Sequence, residues 1–273
     1  MTFLEQHKNK YPSLKGSLQK KEEDTVYTHY PKVYFAFLDV LGFKYDYEVW
    51  QRQKEKNSED APDKKYTEVF SYYFLLMQAA RFMQQRGELH YAGQTSDSLY
   101  FYTSRIDYLV DFIKIFSVFN KFAMSQEVFF RGGIAQGQLF VKNNYQFYGD
   151  SVIKAYLLES EIARKPFIYI DEKTNEDLKN FLMKLDAEIY DEIVGCDGNR
   201  FYIRPFNSFS NSNIKDCLQE DTDISLKDID LVRIGEILKM KKELFEYHPK
   251  TFSKYCDLLG EYNNGSKLTK KKP

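Results

Sequence analysis

The sequence has little cysteine, no long apolar run and almost no net charge. Its cysteines, Cys196, Cys217 and Cys256, have no CxxC spacing, which argues against a disulfide framework and favours reduced thiols. No segment approaches the roughly 18 apolar residues of a membrane span, and the amino terminus lacks an apolar signal region, so we expect a cytoplasmic protein without a membrane partner. A formal net charge of −1 lacks the excess of positive charge that bulk nucleic-acid binding requires.

Aromatic residues are abundant instead, with 22 Tyr and 23 Phe, and they supply ample material for a packed core. The length of 273 residues fits one large domain with an extension. We divide the chain into a polar arm (1–30), a core domain (31–205), a helical extension of that same domain (206–264) and a basic, disordered tail (265–273). The extension has too few apolar residues to build an independent core.

Hydrophobic patterning predicts alternating strands and helices in the first half of the chain. Residues 32–41 are almost continuously apolar, as in a central strand covered on both faces. Apolar residues at helical spacing indicate helices over 66–86 and 106–124. A hairpin over 89–102 lies between these helices, and a glycine-interrupted strand over 128–140 follows. This order is the ferredoxin-like βαββαβ pattern with sheet order 4-1-3-2, so the predicted fold class is α+β.

Further elements extend this ferredoxin-like core. We expect a helix over 150–163, a short strand over 167–171 and two helices within 225–264. On the 150–163 helix, Glu159 and Glu161 are expected to be solvated or to pair with Arg164 along the same helix. The protein is therefore predicted to carry additional strands and C-terminal helices beyond the core.

Two aspartates are predicted to meet at one edge of the sheet. Asp39 closes the first strand and Asp97 lies in the hairpin turn; right-handed crossovers bring both to the edge where Arg131 begins the fourth strand. A carboxylate that ends an apolar strand is costly unless it is paired or metal-bound, whereas an aspartate in the setting of Asp97, taken alone, more often caps its own backbone in a turn. Paired carboxylates hold the two Mg²⁺ ions that serve phosphoryl transfer.

The residues after Asp39 are candidates for phosphate binding. Gly42 follows in a tight passage out of the strand, where the amides of Leu41, Gly42 and Phe43 could cradle a triphosphate. An ordinary turn at Gly42 is the alternative.

These motifs resemble those of the class III nucleotidyl cyclases. In that family the first strand ends in Asp-x-x-Gly-Phe (here 39–43), the hairpin carries a second metal-binding aspartate (here Asp97), and a later strand carries Arg-x-Gly-Ile (here 131–134). More narrowly, the chain looks like the bacterial Pycsar-type pyrimidine cyclases of antiphage defence. The blocks shared with that group are 37–44, 96–98, 130–135, 148–159 and 254–259.

The resemblance implies a homodimer that converts UTP or CTP to the 3′,5′-cyclic monophosphate, a second messenger, with 31–205 as its catalytic domain. Two divalent ions, Mg²⁺ or Mn²⁺, would be held by Asp39, Asp97 and the carbonyl of Val40. Lys44, which closes the first shared block, and Tyr148, which opens a later one, are assigned to substrate binding on the resemblance.

The chain departs from the purine cyclases in its base-reading positions. Purine cyclases carry a lysine where this chain has Gly93 and an aspartate where it has Gln146. Gln146 offers both a donor and an acceptor, which suits a pyrimidine edge.

A second departure concerns transition-state charge. Purine cyclases supply an Asn and an Arg from the later helix, where this chain has Ile153 and Leu157, or Lys154 and Leu158 with a shift of one residue. Arg131 or Lys154 would then stabilise the charge, although Arg131 could instead form a buried ion pair with a sheet-edge carboxylate, and Lys154 could lie on a solvated helix face.

Three hypotheses about function follow from the sequence: a pyrimidine cyclase, a purine cyclase with an unusual pocket, and a catalytically silent module that binds a nucleotide or a partner.

Overall fold

The computed structural model describes residues 27–41, 91–95, 98–125, 127–142, 146–162, 165–186, 188–207, 231–244, 246 and 249–269. The helix expected over 66–86, the hairpin turn that contains Asp97, and residues Gly42 to Lys44 lie outside this part of the chain.

The described strands form one mixed sheet of eight strands. They are β1 (Tyr27–Val40), β2 (Tyr91–Thr95), β3 (Ser98–Thr103), β4 (Phe130–Lys142), β5 (Gln146–Tyr148), β6 (Ile168–Ile170), β7 (Val194–Asp197) and β8 (Arg200–Ile203). The sheet order is β2-β3-β1-β4-β6-β8-β7, and β5 pairs with β4. The β4-β1-β3-β2 part, paired antiparallel throughout, confirms the predicted 4-1-3-2 order, and the α+β fold class is confirmed with it.

Helices cover the sheet on both faces. They are α1 (Ile106–Ser125), α2 (Asp150–Leu157), α3 (Glu172–Leu185), α4 (Ile189–Ile193), α5 (Leu231–Leu244) and α6 (Pro249–Thr269), and a π-helical turn (Leu158–Ile162) continues α2. The start of α3 has a clear local cause, since the Asp171 side chain accepts a hydrogen bond from the Thr174 amide at 3.0 Å. Within the described ranges, no helix is both long enough and apolar enough to span a bilayer.

Two element boundaries differ from the sequence prediction. β1 begins at Tyr27, so the last residues of the expected arm belong to the sheet, where they pair with the end of β4. Aromatic contacts explain this extension, because His29 stacks on Phe140 with ring centroids 4.5 Å apart. At the other end, α6 continues to Thr269, five residues beyond the expected end of the helical extension.

Successive side chains of β1 point to opposite faces of the sheet. Tyr34, Ala36, Leu38 and Val40 belong to the core that α1 and α3 cover. The intervening positions face the other side, where Ala155 of α2 packs. Asp39 is one of these intervening positions and therefore shares the α2 face.

The C-terminal helices complete the core on the α2 face. Buried residues of α5 and α6 pack against the sheet and against each other: Ile234, Ile237, Leu238, Tyr255 and Leu258, with Phe129, Phe167, Tyr169 and Tyr202 as their partners. At the far end of this contact, the Arg204 guanidinium binds both carboxylate oxygens of Glu261 at 3.0 Å. These helices thus share one hydrophobic core with the sheet.

Candidate active site

The site is organised by the register of three neighbouring strands. Asp39 on β1 lies opposite Ser98 on β3 and opposite Arg131 on β4. Residues directly opposite one another in antiparallel strands present their side chains on the same face. Asp97 lies outside the described residues, and Ser98, which follows it in the sequence, is thus the cross-strand partner of Asp39.

Asp39 and Arg131 form a partly buried ion pair. The Arg131 Nη2 atom lies 2.9 Å from Asp39 Oδ2, and the Arg131 Nε atom donates to the same oxygen at 3.2 Å. The other carboxylate oxygen, Oδ1, accepts a longer hydrogen bond of 3.3 Å from the Ser98 hydroxyl. The ion pair anticipated as the alternative interpretation of Arg131 is therefore present in this structure.

A third charged residue, Glu159, completes the cluster and was assigned differently from the sequence. Its Oε1 atom lies 2.7 Å from Arg131 Nη2, and the residue is only 4% exposed. The expectation that Glu159 is solvated is wrong, and Arg164, the partner expected along its own helix, lies outside the described residues. Helical spacing reveals partners on one helix, whereas this partner comes from β4, so no local pattern signalled the contact.

Lys254 on α6 brings a further positive charge to the same edge. The neighbouring Tyr255 packs edge-on against Phe129, two residues before Arg131, with ring centroids 5.5 Å apart. Lys254 is partly buried, and this burial, together with the Arg131 charge, lowers its pKa. The sequence comparison had included Lys254 in a shared block without giving it a role.

The donor atoms at this edge suit a hard divalent cation. Asp39 contributes a carboxylate and Val40 a backbone carbonyl at this edge, whereas Asp97, the second carboxylate expected from the sequence, lies outside the described residues. Such oxygen-only donor sets are those that Mg²⁺ and Mn²⁺ prefer. Among the residues whose placement is described, no group of three His, Cys, Asp or Glu side chains that could hold a metal ion is found, at this edge or elsewhere.

The proposed phosphate nest needs a correction at Leu41. The Leu41 amide donates to the Phe129 carbonyl at 2.8 Å, because the β1–β4 ladder continues one residue past the end of β1. That amide is therefore unavailable to a triphosphate in this structure. The remaining nest residues, Gly42 and Phe43, and the neighbouring Lys44 lie outside the described residues.

Lys154 lies away from this cluster. Its ammonium group pairs with Asp150 at 2.8 Å, one turn earlier on α2, and donates to the Gln136 carbonyl at 3.3 Å. Gln136 is roughly 16 Å along β4 from Arg131, at about 3.3 Å per residue. Lys154 thus lies on a solvated helix face, which was its alternative interpretation, where it pairs with Asp150. Within one chain it is too far from Asp39 to assist it.

The two candidate base-binding residues lie at the opposite end of β4. Gln146 is exposed opposite Lys142, and Tyr148 is exposed opposite Phe140. The stretch of β4 from Arg131 to Phe140 spans roughly 30 Å. One chain therefore holds its candidate metal residues and its candidate base-binding residues far apart.

Gly93, where purine cyclases carry a lysine, is covered by an aromatic ring. A Cβ atom at this position would lie 2.6 Å from the ring of Tyr100, its cross-strand partner on β3. The Tyr100 ring thus occupies the space that a lysine side chain at position 93 would need.

No protein-family model matches this chain. A search of curated proteins also finds no match. Among solved structures, the chain is similar to the catalytic core of a rhodopsin-guanylyl cyclase with converted specificity in complex with ATPαS, with 13% identity and a TM-score of 0.43 over 65% of this chain and 98% of that chain. The guanylate cyclase domain of RhGC from Catenaria anguillulae, in complex with GTP, gives 14% identity and a TM-score of 0.43 over 64% and 97%.

A bacterial light-regulated adenylyl cyclase gives 12% identity and a TM-score of 0.41 over 64% of this chain and 55% of that chain. Similarity at this level concerns the general shape of the fold and identifies neither a reaction nor a substrate.

Proposed function

We propose that this protein is a nucleotidyl cyclase that converts a nucleoside triphosphate to its 3′,5′-cyclic monophosphate and pyrophosphate. The proposal is supported chiefly by the strand register, in which Asp39 lies between Arg131 and the Ser98 that follows Asp97. The register supports the proposal because Asp39 and Arg131, which are far apart in sequence, meet at one edge of the sheet together with Ser98, the sequence neighbour of Asp97.

In the proposed reaction, the ribose 3′ oxygen forms a bond to the α-phosphorus while the bond from that phosphorus to the leaving pyrophosphate breaks. Asp39, Asp97 and the Val40 carbonyl would hold two Mg²⁺ or Mn²⁺ ions, which when bound neutralise the triphosphate and lower the pKa of the attacking hydroxyl. Arg131 and Lys254 add fixed positive charge at the same edge, where charge develops on the phosphate oxygens.

We further propose a pyrimidine nucleotide, UTP or CTP, as the substrate. The purine-reading lysine is replaced by Gly93, and the Tyr100 ring fills the space beside it. Gln146 replaces the purine-reading aspartate and can both donate and accept hydrogen bonds. On the resemblance to Pycsar-type cyclases, the product would be a second messenger of antiphage defence.

A homodimer is part of this proposal. Gln146 and Tyr148 lie too far from Asp39 to bind the same nucleotide within one chain, so a second copy would have to supply them. The exposed face of α2 is suitably apolar, since Ile153 is 60% and Tyr156 53% exposed.

The test is incubation of the purified protein with each of the four nucleoside triphosphates and Mn²⁺, followed by chromatographic identification of the products. A cyclic pyrimidine nucleotide is the expected product, and it should disappear in Asp39→Asn. A cyclic purine product would favour the purine cyclase hypothesis. If no triphosphate yields a cyclic product, the enzymatic proposal is wrong.

The silent nucleotide-binding module is a second candidate with specific support. Ile153 and Leu157 replace the transition-state Asn and Arg, and the only cation of α2, Lys154, is paired with Asp150. Calorimetric binding of UTP or CTP in the presence of Mn²⁺, without any turnover, would favour this module over the cyclase.

A further inference from the structure

The guanidinium of Arg131 is shared between two carboxylates from different elements. Its Nη2 atom lies 2.9 Å from Asp39 Oδ2 at the end of β1 and 2.7 Å from Glu159 Oε1 on the π-helical turn. A single nitrogen therefore has two anionic partners, and the loss of one would leave the other in place.

The two carboxylates differ in their access to an incoming ligand. The Glu159 side chain is 5% exposed, whereas the Asp39 side chain is 14% exposed at the end of its strand. A buried carboxylate that loses its cation is strongly destabilising, so Glu159 has the greater need of Arg131. A cation arriving at Asp39 would compete with Arg131 for Asp39 and leave the Glu159 contact unchanged.

The backbone around Glu159 is built to make this contact. Glu159 belongs to the π-helical turn Leu158–Ile162, a local widening that is frequent at functional sites. The last turn of α2 lies directly against β4 at Gly133, two residues from Arg131. A regular end to α2 with a larger residue at position 133 would hold Glu159 away from the strand.

We propose that Glu159 is a positioning residue that retains Arg131 when Asp39 binds a divalent cation, and that it thereby sets the affinity of the site for that cation. The inference rests on the metal site of the proposed function. When Glu159 carries its charge, Arg131 can release Asp39 and still pair with Glu159. Without the Glu159 charge, Asp39 is, among the described residues, the remaining carboxylate that pairs with Arg131, and a cation must displace the guanidinium from it.

The direct test is Mn²⁺ binding to the purified full-length protein without nucleotide, measured from the electron paramagnetic resonance signal of free Mn²⁺. Glu159→Gln, which keeps the shape and removes the charge, should weaken Mn²⁺ binding about tenfold. Glu161→Gln is the matched control, because Glu161 is exposed on the same π-helical turn. Its Mn²⁺ affinity should equal that of the unaltered protein.

A double-mutant cycle separates positioning from simple loss of stability. Arg131→Met removes the competitor for Asp39, so Mn²⁺ should bind at least as tightly as in the unaltered protein. Adding Glu159→Gln to Arg131→Met should cause no further change in Mn²⁺ affinity, since its effect acts through Arg131. The double variant removes the Glu159 charge together with the Arg131 charge that contacts it, so it remains testable if Arg131→Met alone fails to fold.

Two results would overturn the inference. One is an unchanged Mn²⁺ affinity in Glu159→Gln, and the other is a loss of affinity that persists in the Arg131→Met background. Mn²⁺ binding that responds to Glu159→Gln, in a protein that makes no cyclic nucleotide, would refute the proposed reaction and leave the positioning role intact. Absence of Mn²⁺ binding in the unaltered protein would refute the metal site and the inference together.

Discussion

Gly133 of β4 lies directly beneath Leu158, at the point where α2 passes into the π-helical turn. A Cβ atom at position 133 would stand 2.5 Å from the Cβ atom of Leu158 and would also collide with the Ala155 carbonyl oxygen. Because Glu159 follows Leu158, this close approach of helix and strand is what brings Glu159 to Arg131.

Gly133→Ala should therefore lower the free energy of unfolding by about 1–3 kcal/mol through overpacking, and it should reduce activity by moving Glu159. Urea denaturation and turnover of the pyrimidine triphosphate would measure the two effects. Gly260→Ala on α6 is the matched control, because a Cβ atom there meets no atom within 4 Å. It should be neutral or stabilising by up to about 1 kcal/mol. Equal effects of the two substitutions would contradict the close contact.

Asp39→Asn should abolish most of the cyclase activity while the fold survives. Loss of a metal-binding carboxylate is expected to cost several kcal/mol of transition-state stabilisation, or about a hundredfold or more in kcat/KM. Stability should change little, because Arg131 keeps its contact with Glu159. Steady-state rates and thermal unfolding would test both statements, with Asp191→Asn on the exposed side of α4 as the control. Full turnover by Asp39→Asn would refute the role of Asp39.

Lys254→Met should weaken triphosphate binding without weakening the fold. In the folded protein the Lys254 charge is disfavoured by burial and by Arg131, so its removal should not lower the free energy of unfolding. A phosphate group that gains a hydrogen bond from this ammonium would lose it, and KM should rise about tenfold. Lys239→Met, at an exposed position of α5, should leave KM unchanged. A KM that is the same in both variants would exclude Lys254 from phosphate binding.

The buried Lys121 of α1 should make the free energy of unfolding depend on pH, independently of the active site. Burial lowers the pKa of Lys121 from 10.5 to about 8. Between pH 8 and pH 10.5, Lys121 holds its proton more tightly in the unfolded chain than in the folded chain. The contribution of Lys121 to the free energy of unfolding therefore rises with pH. The increase is about 3 kcal/mol at most, and it should be visible from about pH 8 to 9.5.

Above about pH 10 the buried tyrosines act in the opposite direction. Burial raises the pKa of Tyr34, Tyr169 and Tyr202, so these hydroxyls ionise in the unfolded chain first and favour unfolding. Denaturation at a series of pH values should therefore show a maximum, and its rising side should be lost in Lys121→Met. A rising side that is unchanged in this variant would contradict the assignment to Lys121.

The sheet could be predicted because its signals are local. Local patterns identify the strands: the apolar run before Asp39, the hairpin around residue 96 and the glycine-interrupted segment after Val128. The right-handedness of crossover connections then restricts the order of these strands in the sheet. The boundary at Tyr27 was missed because that end of β1 is polar and exposed and pairs through aromatic contacts with β4. Cross-strand contacts of this kind depend on register, which a single segment does not contain.

The role predicted for the Leu41 amide and the solvent exposure predicted for Glu159 were wrong for a related reason. The Leu41 amide was assigned to a ligand because the local sequence does not reveal that the ladder to Phe129 continues past the strand. Glu159 was assigned to its own helix because the i, i+3 and i, i+4 pattern is the only pairing that a helix sequence displays. The Leu41 amide instead bonds to the residue just before β4, and Glu159 contacts Arg131 within β4.

The amino-acid sequence alone determined the order of strands and helices, the α+β class and the edge at which Asp39 and Arg131 meet, because periodicity and the handedness of crossovers act through short segments of the chain. Tertiary structure decided which charges pair: Arg131 with Asp39 and Glu159, and Lys154 with Asp150. It also placed Lys254 close enough for the Arg131 charge to lower its pKa. Such contacts depend on how closely a helix approaches a strand, and that distance is set by packing between residues remote in sequence.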